Sequence, residues 1–197
     1  MTSLTFYSPQ LPDGSTAPQE FEFNGFGCNG RNQSPALVWA DVPLEARSLA
    51  LTAYDPDAPT GSGWWHWFVV DLPLGVNGLA ADAGAEGGAQ LPAGARHIRN
   101  DYGAYAWGGM CPPAGDKPHR YVFTVYALKE KLKLGDGADP ASRSSRSTAA
   151  HRSARTAETT AARPGSRSGT STSTRTRAPE CPPTRPRPTG ACAGTRS

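Results

Sequence analysis

Ala53-Tyr-Asp-Pro-Asp-Ala-Pro-Thr-Gly-Ser-Gly-Trp-Trp-His-Trp-Phe-Val-Val70 is an apolar run ending in two carboxylates, then a Pro/Gly loop, then a second apolar run opened by three tryptophans around one histidine. Pro56 and Pro59 fix φ on either side of Asp57, so the carboxylate loop is stiff without help from a ligand. Polar groups at strand ends, on a rigid loop, are where sites are built. Taken alone, Asp55-Pro-Asp57 reads as a turn, because Asp and Pro are ordinary turn residues. His66 and the tryptophans around it turn the reading toward a pocket.

Outward from this stretch, short runs with β-branched and aromatic residues recur between Pro and Gly punctuation: Leu4 to Tyr7, Ala36 to Trp39, Ser48 to Tyr54, Trp65 to Val70 and Tyr121 to Leu128. That spacing predicts strands. Alternation puts Leu49, Leu51 and Ala53 on one face of their strand, and Tyr121, Phe123 and Val125 on one face of theirs, as two members of one antiparallel sheet require. Gly75 to Gly94 is rich in Ala and Gly and predicts at most a short helix or an irregular loop, with no function placed there.

Charge and aromatic content divide the 197-residue chain. Residues 1–134 carry 9 basic and 13 acidic groups, and residues 135–197 carry 11 and 4. Every Trp, Tyr and Phe lies at or before Tyr126. The core must therefore be built before about residue 134. The reading is one domain over 1–134 and an Arg/Ser/Thr/Pro-rich tail over 135–197, expected to be disordered because it cannot bury enough surface to offset its ordering entropy. The start of the chain lacks a basic segment followed by an apolar one, and no apolar run is long enough to span a bilayer, so a cytoplasmic location is expected. Cys28, Cys111, Cys181 and Cys192 show no C-x-x-C pairing and are read as ordinary thiols, with neither a zinc site nor a disulfide framework indicated.

A second cluster repeats the design of the first. In Trp107-Gly-Gly-Met-Cys-Pro-Pro-Ala-Gly-Asp-Lys-Pro-His-Arg-Tyr121, a Gly/Pro loop delivers His119 and Arg120 to the start of an apolar strand. A lone His at a strand start is more often structural, and Arg120 would more often pair with a carboxylate than bind a ligand. The two clusters together carry the inference of one cleft built from Asp55, Asp57, His66 and His119.

Asp55-Pro-Asp-Ala-Pro59 with the Trp-His-Trp that follows, and Pro118-His-Arg-Tyr121, resemble the two signature regions of the phosphatidylethanolamine-binding protein family, especially its bacterial, Raf-kinase-inhibitor-like branch. Ser34-Pro-Ala-Leu-Val-Trp39 with Val42-Pro43 is similar to that family's early segment. The resemblance covers residues 4 to 134. It implies a mainly β fold, a large antiparallel sheet packed on a smaller sheet, with helices at the C-terminal end. It implies binding of a phosphate-type anion or phospholipid head group, with some relatives inhibiting a kinase or serine protease, and it implies neither cofactor nor metal. Carried over, the anion pocket falls on Asp55, Asp57, Ala58, Pro59, Trp65, His66, Cys111, His119 and Tyr121. Like charge opposes phosphate at short range, so one Asp is expected to accept a hydrogen bond from a histidine and keep it protonated toward the anion.

Two departures stand out. Met110 replaces a smaller residue and is expected to alter the lip of the cleft. After Leu134 the family's terminal helix and last strand have no counterpart, so that ending reads as a frameshift product and the chain is expected to fold poorly. Among rivals, a metal-dependent or acid/base hydrolase using Asp55, Asp57, His66 and His119 lacks both helical ligand spacing and a G-x-S-x-G elbow. A basic tail that binds nucleic acid or acidic surfaces lacks aromatics for base stacking.

Overall fold

In the computed structural model of the chain, residues 4–132 and 134 are described, together with the backbone of 156–161. The predicted runs are strands: β1 Thr5–Tyr7, β2 Leu37–Ala40, β3 Ser48–Asp55, β4 Trp64–Leu72 and β7 His119–Leu128. Three shorter ones complete two sheets: β5 Gly78–Leu79, β6 Arg96–His97 and β8 Thr156–Ala161. The small sheet has the order β1-β2-β5 and the large one β6-β4-β3-β7-β8, with every neighbouring pair antiparallel. Among the described residues, helix is confined to one 3-10 turn, Gln19–Phe21. No helix there is long and apolar enough to cross a membrane.

The alternation read from sequence holds across the central pair. Leu49 faces Ala127, Leu51 faces Val125 and Ala53 faces Phe123, and all six lie in one core with Phe6, Leu37, Trp39 and Leu79 of the small sheet. The core therefore lies between the two sheets, with Trp39, Trp67 and Trp107 fully buried in it. The far face of the large sheet carries a second cluster, Ala50, Phe68, Val70, Ile98 and Leu128, against which Trp65, Tyr126, Leu132 and Leu134 pack. Gly75 to Gly94, read as a loop, contributes the two residues of β5 to the small sheet.

The reading of apolar runs placed no strand after residue 134. One segment beyond residue 134 is described, and it is β8, which runs along β7 from His119↔Ala161 to Thr124↔Thr156. Thr156-Ala-Glu-Thr-Thr-Ala161 has no large side chain, but its three threonines favour extended backbone. What an edge requires first is backbone hydrogen bonding, which such a run supplies. The remainder of the predicted tail lies outside the described residues.

Candidate functional site

The site begins with an irregularity in β4. Ala53 pairs with Trp67 and Tyr54 with Trp65, so His66 is an extra residue between two consecutive pairings. Such a bulge turns two successive side chains to the same face. His66 and Trp67 are both buried. Trp64 and His66 line a cleft, whereas Trp65 is sent to the far face, where its ring lies tilted 4.4 Å from that of Tyr54 and packs with Phe68. Gly63, which precedes this strand, sits at φ +69°, and a Cβ there would overlap Tyr54 Oη and lie 2.6 Å from the Asp55 carbonyl oxygen.

The carboxylate loop closes on itself and on the start of β7. The Asp57 N–H donates to Asp55 Oδ1 at 2.8 Å, turning the chain sharply at the end of β3. Across the sheet, His119 Nδ1 hydrogen-bonds Asp55 Oδ2 at 2.8 Å, with both residues buried. Arg120 grips Asp57 three times: backbone N–H to Oδ2 at 2.8 Å, Nε to Oδ2 at 2.8 Å and Nη2 to Oδ1 at 2.7 Å. That fork holds the Asp57 carboxyl down to about 2, the guanidinium hydrogen bonds being the principal cause. Each carboxylate thus has a basic partner from the next strand.

The two histidines differ. His119 sits against a carboxylate on one side and has Asp116 Oδ2 3.5 Å from its Nε2 on the other. His66 is fully enclosed and its Nδ1–H donates to the Gly108 carbonyl at 2.7 Å. Burial pushes its pKa down to about 4, so it is neutral at pH 7 with Nε2 as an acceptor. The expected histidine–carboxylate pair is therefore His119 with Asp55, and His66 takes the opposite role.

Asp55, Ala58, Pro59, Thr60, Trp64, His66, Cys111, Pro113 and His119 line a cleft of about 210 Å³ with Phe26 and Tyr102. Trp64 Nε1 is a buried donor without an acceptor among the described residues. Tyr102 stacks on Phe23 at 4.5 Å and on Phe26 at 5.9 Å, and its hydroxyl donates to the Gly109 carbonyl at 2.9 Å.

Of the residues predicted for the pocket, Asp55, Ala58, Pro59, His66, Cys111 and His119 converge on this cleft. Tyr121 lies beneath it, its ring 5.0 Å from that of His66, with its hydroxyl pKa raised by burial and by the nearby Asp55 charge. Asp57 stands beside the cleft in its pair with Arg120. Met110, expected at the lip, is instead fully buried in the core, its N–H and C=O bonded to Phe21 and Phe23. The reading of Cys28 and Cys111 as free thiols is corrected: they form a disulfide across 83 residues. No local spacing signals a pair so distant in sequence. Phe26 and Tyr102 were missed for the same reason. Trp64 could have been found by stepping back two residues from His66.

The phosphatidylethanolamine-binding protein family model matches residues 7–164. The UPF0098 protein YbcL of Escherichia coli K12 is 52% identical over 128 residues, covering 64% of this chain and 70% of that protein. YbhB of the same organism is 46% identical over 139 residues, covering 70% and 87%. The crystal structure of E. coli YbcL, described as a new member of the mammalian PEBP family, superposes with a TM-score of 0.78 at 42% identity, covering 81% of this chain and 98% of that one.

Proposed function

This chain belongs to the phosphatidylethanolamine-binding protein family, and from that premise we propose that its cleft binds a phosphate-type anion, either a small phosphate monoester or the head group of a phospholipid. The observation that carries the reading is the buried His119–Asp55 pair in the cleft wall. With Nδ1 held by the Asp55 carboxylate, the ring is fixed in the cleft wall and its other nitrogen, Nε2, with Asp116 Oδ2 3.5 Å away, is the atom available to a ligand. Trp64 Nε1–H offers a donor, already desolvated. Neutral His66 accepts a hydrogen bond, which suits a ligand carrying a proton on its phosphate or a neighbouring N–H. At about 210 Å³ the cleft is smaller than the roughly 300–1,000 Å³ of drug-sized sites, so it suits a terminal group rather than a whole large ligand.

We read the cleft as a binder rather than a catalyst. The Thr60 hydroxyl is donated to the Gly63 carbonyl and the Cys111 sulfur is held in a disulfide, so neither is a poised nucleophile. Titration with inorganic phosphate and with phosphoethanolamine, followed by Trp fluorescence, tests the reading. Saturable quenching is expected, and His119→Ala should weaken it by about tenfold or more, as expected for a lost charge-assisted hydrogen bond. Quenching unchanged in that variant would remove His119 from the site.

A further inference from the structure

The loop over residues 24–29 leaves and re-enters the fold at one place. Phe23 N–H donates to the Met110 carbonyl at 3.0 Å, and Gly30 N–H donates to the Phe23 carbonyl at 2.9 Å. Between them, Cys28 N–H closes a turn onto the Gly25 carbonyl at 3.0 Å, with Phe26 at φ +54° and Gly27 at φ +81°. The left-handed region is unfavourable for a bulky residue. Phe26 is nevertheless held there, 76% exposed, with one side of its ring against Phe23 and Tyr102 and lining the cleft. The turn ends at Cys28, which is bonded to Cys111, a second lining residue. Cys111 Sγ also approaches the Gly25 carbonyl at 3.7 Å. One covalent bond therefore joins the aromatic lip of the cleft to its Cys111 wall.

We propose that the Cys28–Cys111 disulfide is a redox latch on the cleft: oxidised, it holds the Phe26 lip in place for the ligand, and reduced, it releases the lip and weakens binding. The proposal rests on the cleft being the ligand site. A thiolate of a dithiol reductant attacks Cys111 Sγ, Cys111 being the half of the bond that lines the cleft, and breaks its bond to Cys28, which takes up a proton as a thiol. The reductant's second thiol then displaces Cys111 from the mixed disulfide. Two electrons and two protons pass to the protein, and the reductant leaves as a disulfide. Because the attack comes through the cleft, a bound ligand shields the bond, and by linkage reduction and binding oppose one another. The binding-competent form then belongs to an oxidising compartment rather than to the cytoplasm that the sequence suggested.

The test uses the full chain in three forms, oxidised, reduced with dithiothreitol, and Cys28→Ser/Cys111→Ser. Affinity for phosphoethanolamine is measured by calorimetry, folding by near-ultraviolet circular dichroism, and reduction rate by thiol alkylation and mass. The oxidised chain should bind, and the reduced and double-serine forms should bind about tenfold or more weakly, within the range of ordinary site coupling. Reoxidation should restore affinity, and phosphoethanolamine should slow reduction. Equal affinity in oxidised and reduced folded protein overturns the latch and leaves the cleft reading intact. Absence of binding by the oxidised chain overturns both. Should the reduced forms unfold, Phe26→Ala decides, because it removes the lip and keeps the disulfide: weakened binding supports the latch, and unchanged affinity overturns it.

Discussion

Among the described residues, His66 and Asp57 both have lowered pKa values, and the signs of their effects on stability agree. The His66 pKa is pushed below its unfolded value of about 6.5 to about 4, so its contribution to stability is fully present above the unfolded value and is lost as pH falls toward 4. The loss is on the order of 3 kcal/mol. His97, also lowered by burial, adds to it in the same direction. Thermal melts between pH 7 and 4 should show a steep fall in Tm, and His66→Asn, which keeps a donor for the Gly108 carbonyl, should flatten it. The Asp57 carboxyl is depressed, so its pair with Arg120 stabilises above about pH 4 and the benefit is lost as pH falls through about 2. The pair is partly exposed, so Arg120→Ala should cost about 1 kcal/mol or less at pH 7 and distinctly less near pH 2, as denaturant melts at the two pH values would reveal. The residue types were legible in sequence. Which carboxylate meets which base was not, because strand register sets those partners.

The bulge in β4 is where sequence reading and structure part. Counting back by twos from Val69 and Trp67, both core residues, points to Trp65 as the next inward side chain. The extra residue His66 shifts the phase, so Trp64 meets the cleft and Trp65 the far face. A bulge leaves no mark in hydrophobic alternation, since every residue concerned is aromatic. The strands themselves were legible because β-branched and aromatic runs stood between Pro and Gly, and the β3–β7 faces followed from period two alone. Gly63 before β4 belongs to the same device. Gly63→Ala would add left-handed strain and a clash with Tyr54 and the Asp55 carbonyl, so a loss of about 1–3 kcal/mol is expected in chemical denaturation, with weakened ligand binding. Retention of both stability and binding would show that the loop before β4 does not need its conformation.

Across the whole molecule, the cleft gathers Phe26, the Asp55–His66 hairpin, Tyr102, Cys111 and the start of β7, which only the packed sheets bring together. This is why the two motif clusters announced a site while its aromatic lip and disulfide stayed hidden. Strand β8 along β7 likewise escaped a reading based on apolar content. A chain cut after Leu134 should melt at lower temperature and self-associate more than the full chain, because β7 becomes an open edge. The most direct test of the central claim, that the cleft beside His119 holds a phosphate group, is a proton–nitrogen correlation spectrum of the five tryptophan indoles during titration with phosphoethanolamine. The Trp64 indole N–H should move saturably, the Trp65 signal should stay in place, and His119→Ala should abolish the shift. A folded protein whose Trp64 signal never moves, or in which Trp65 moves instead, would contradict the account.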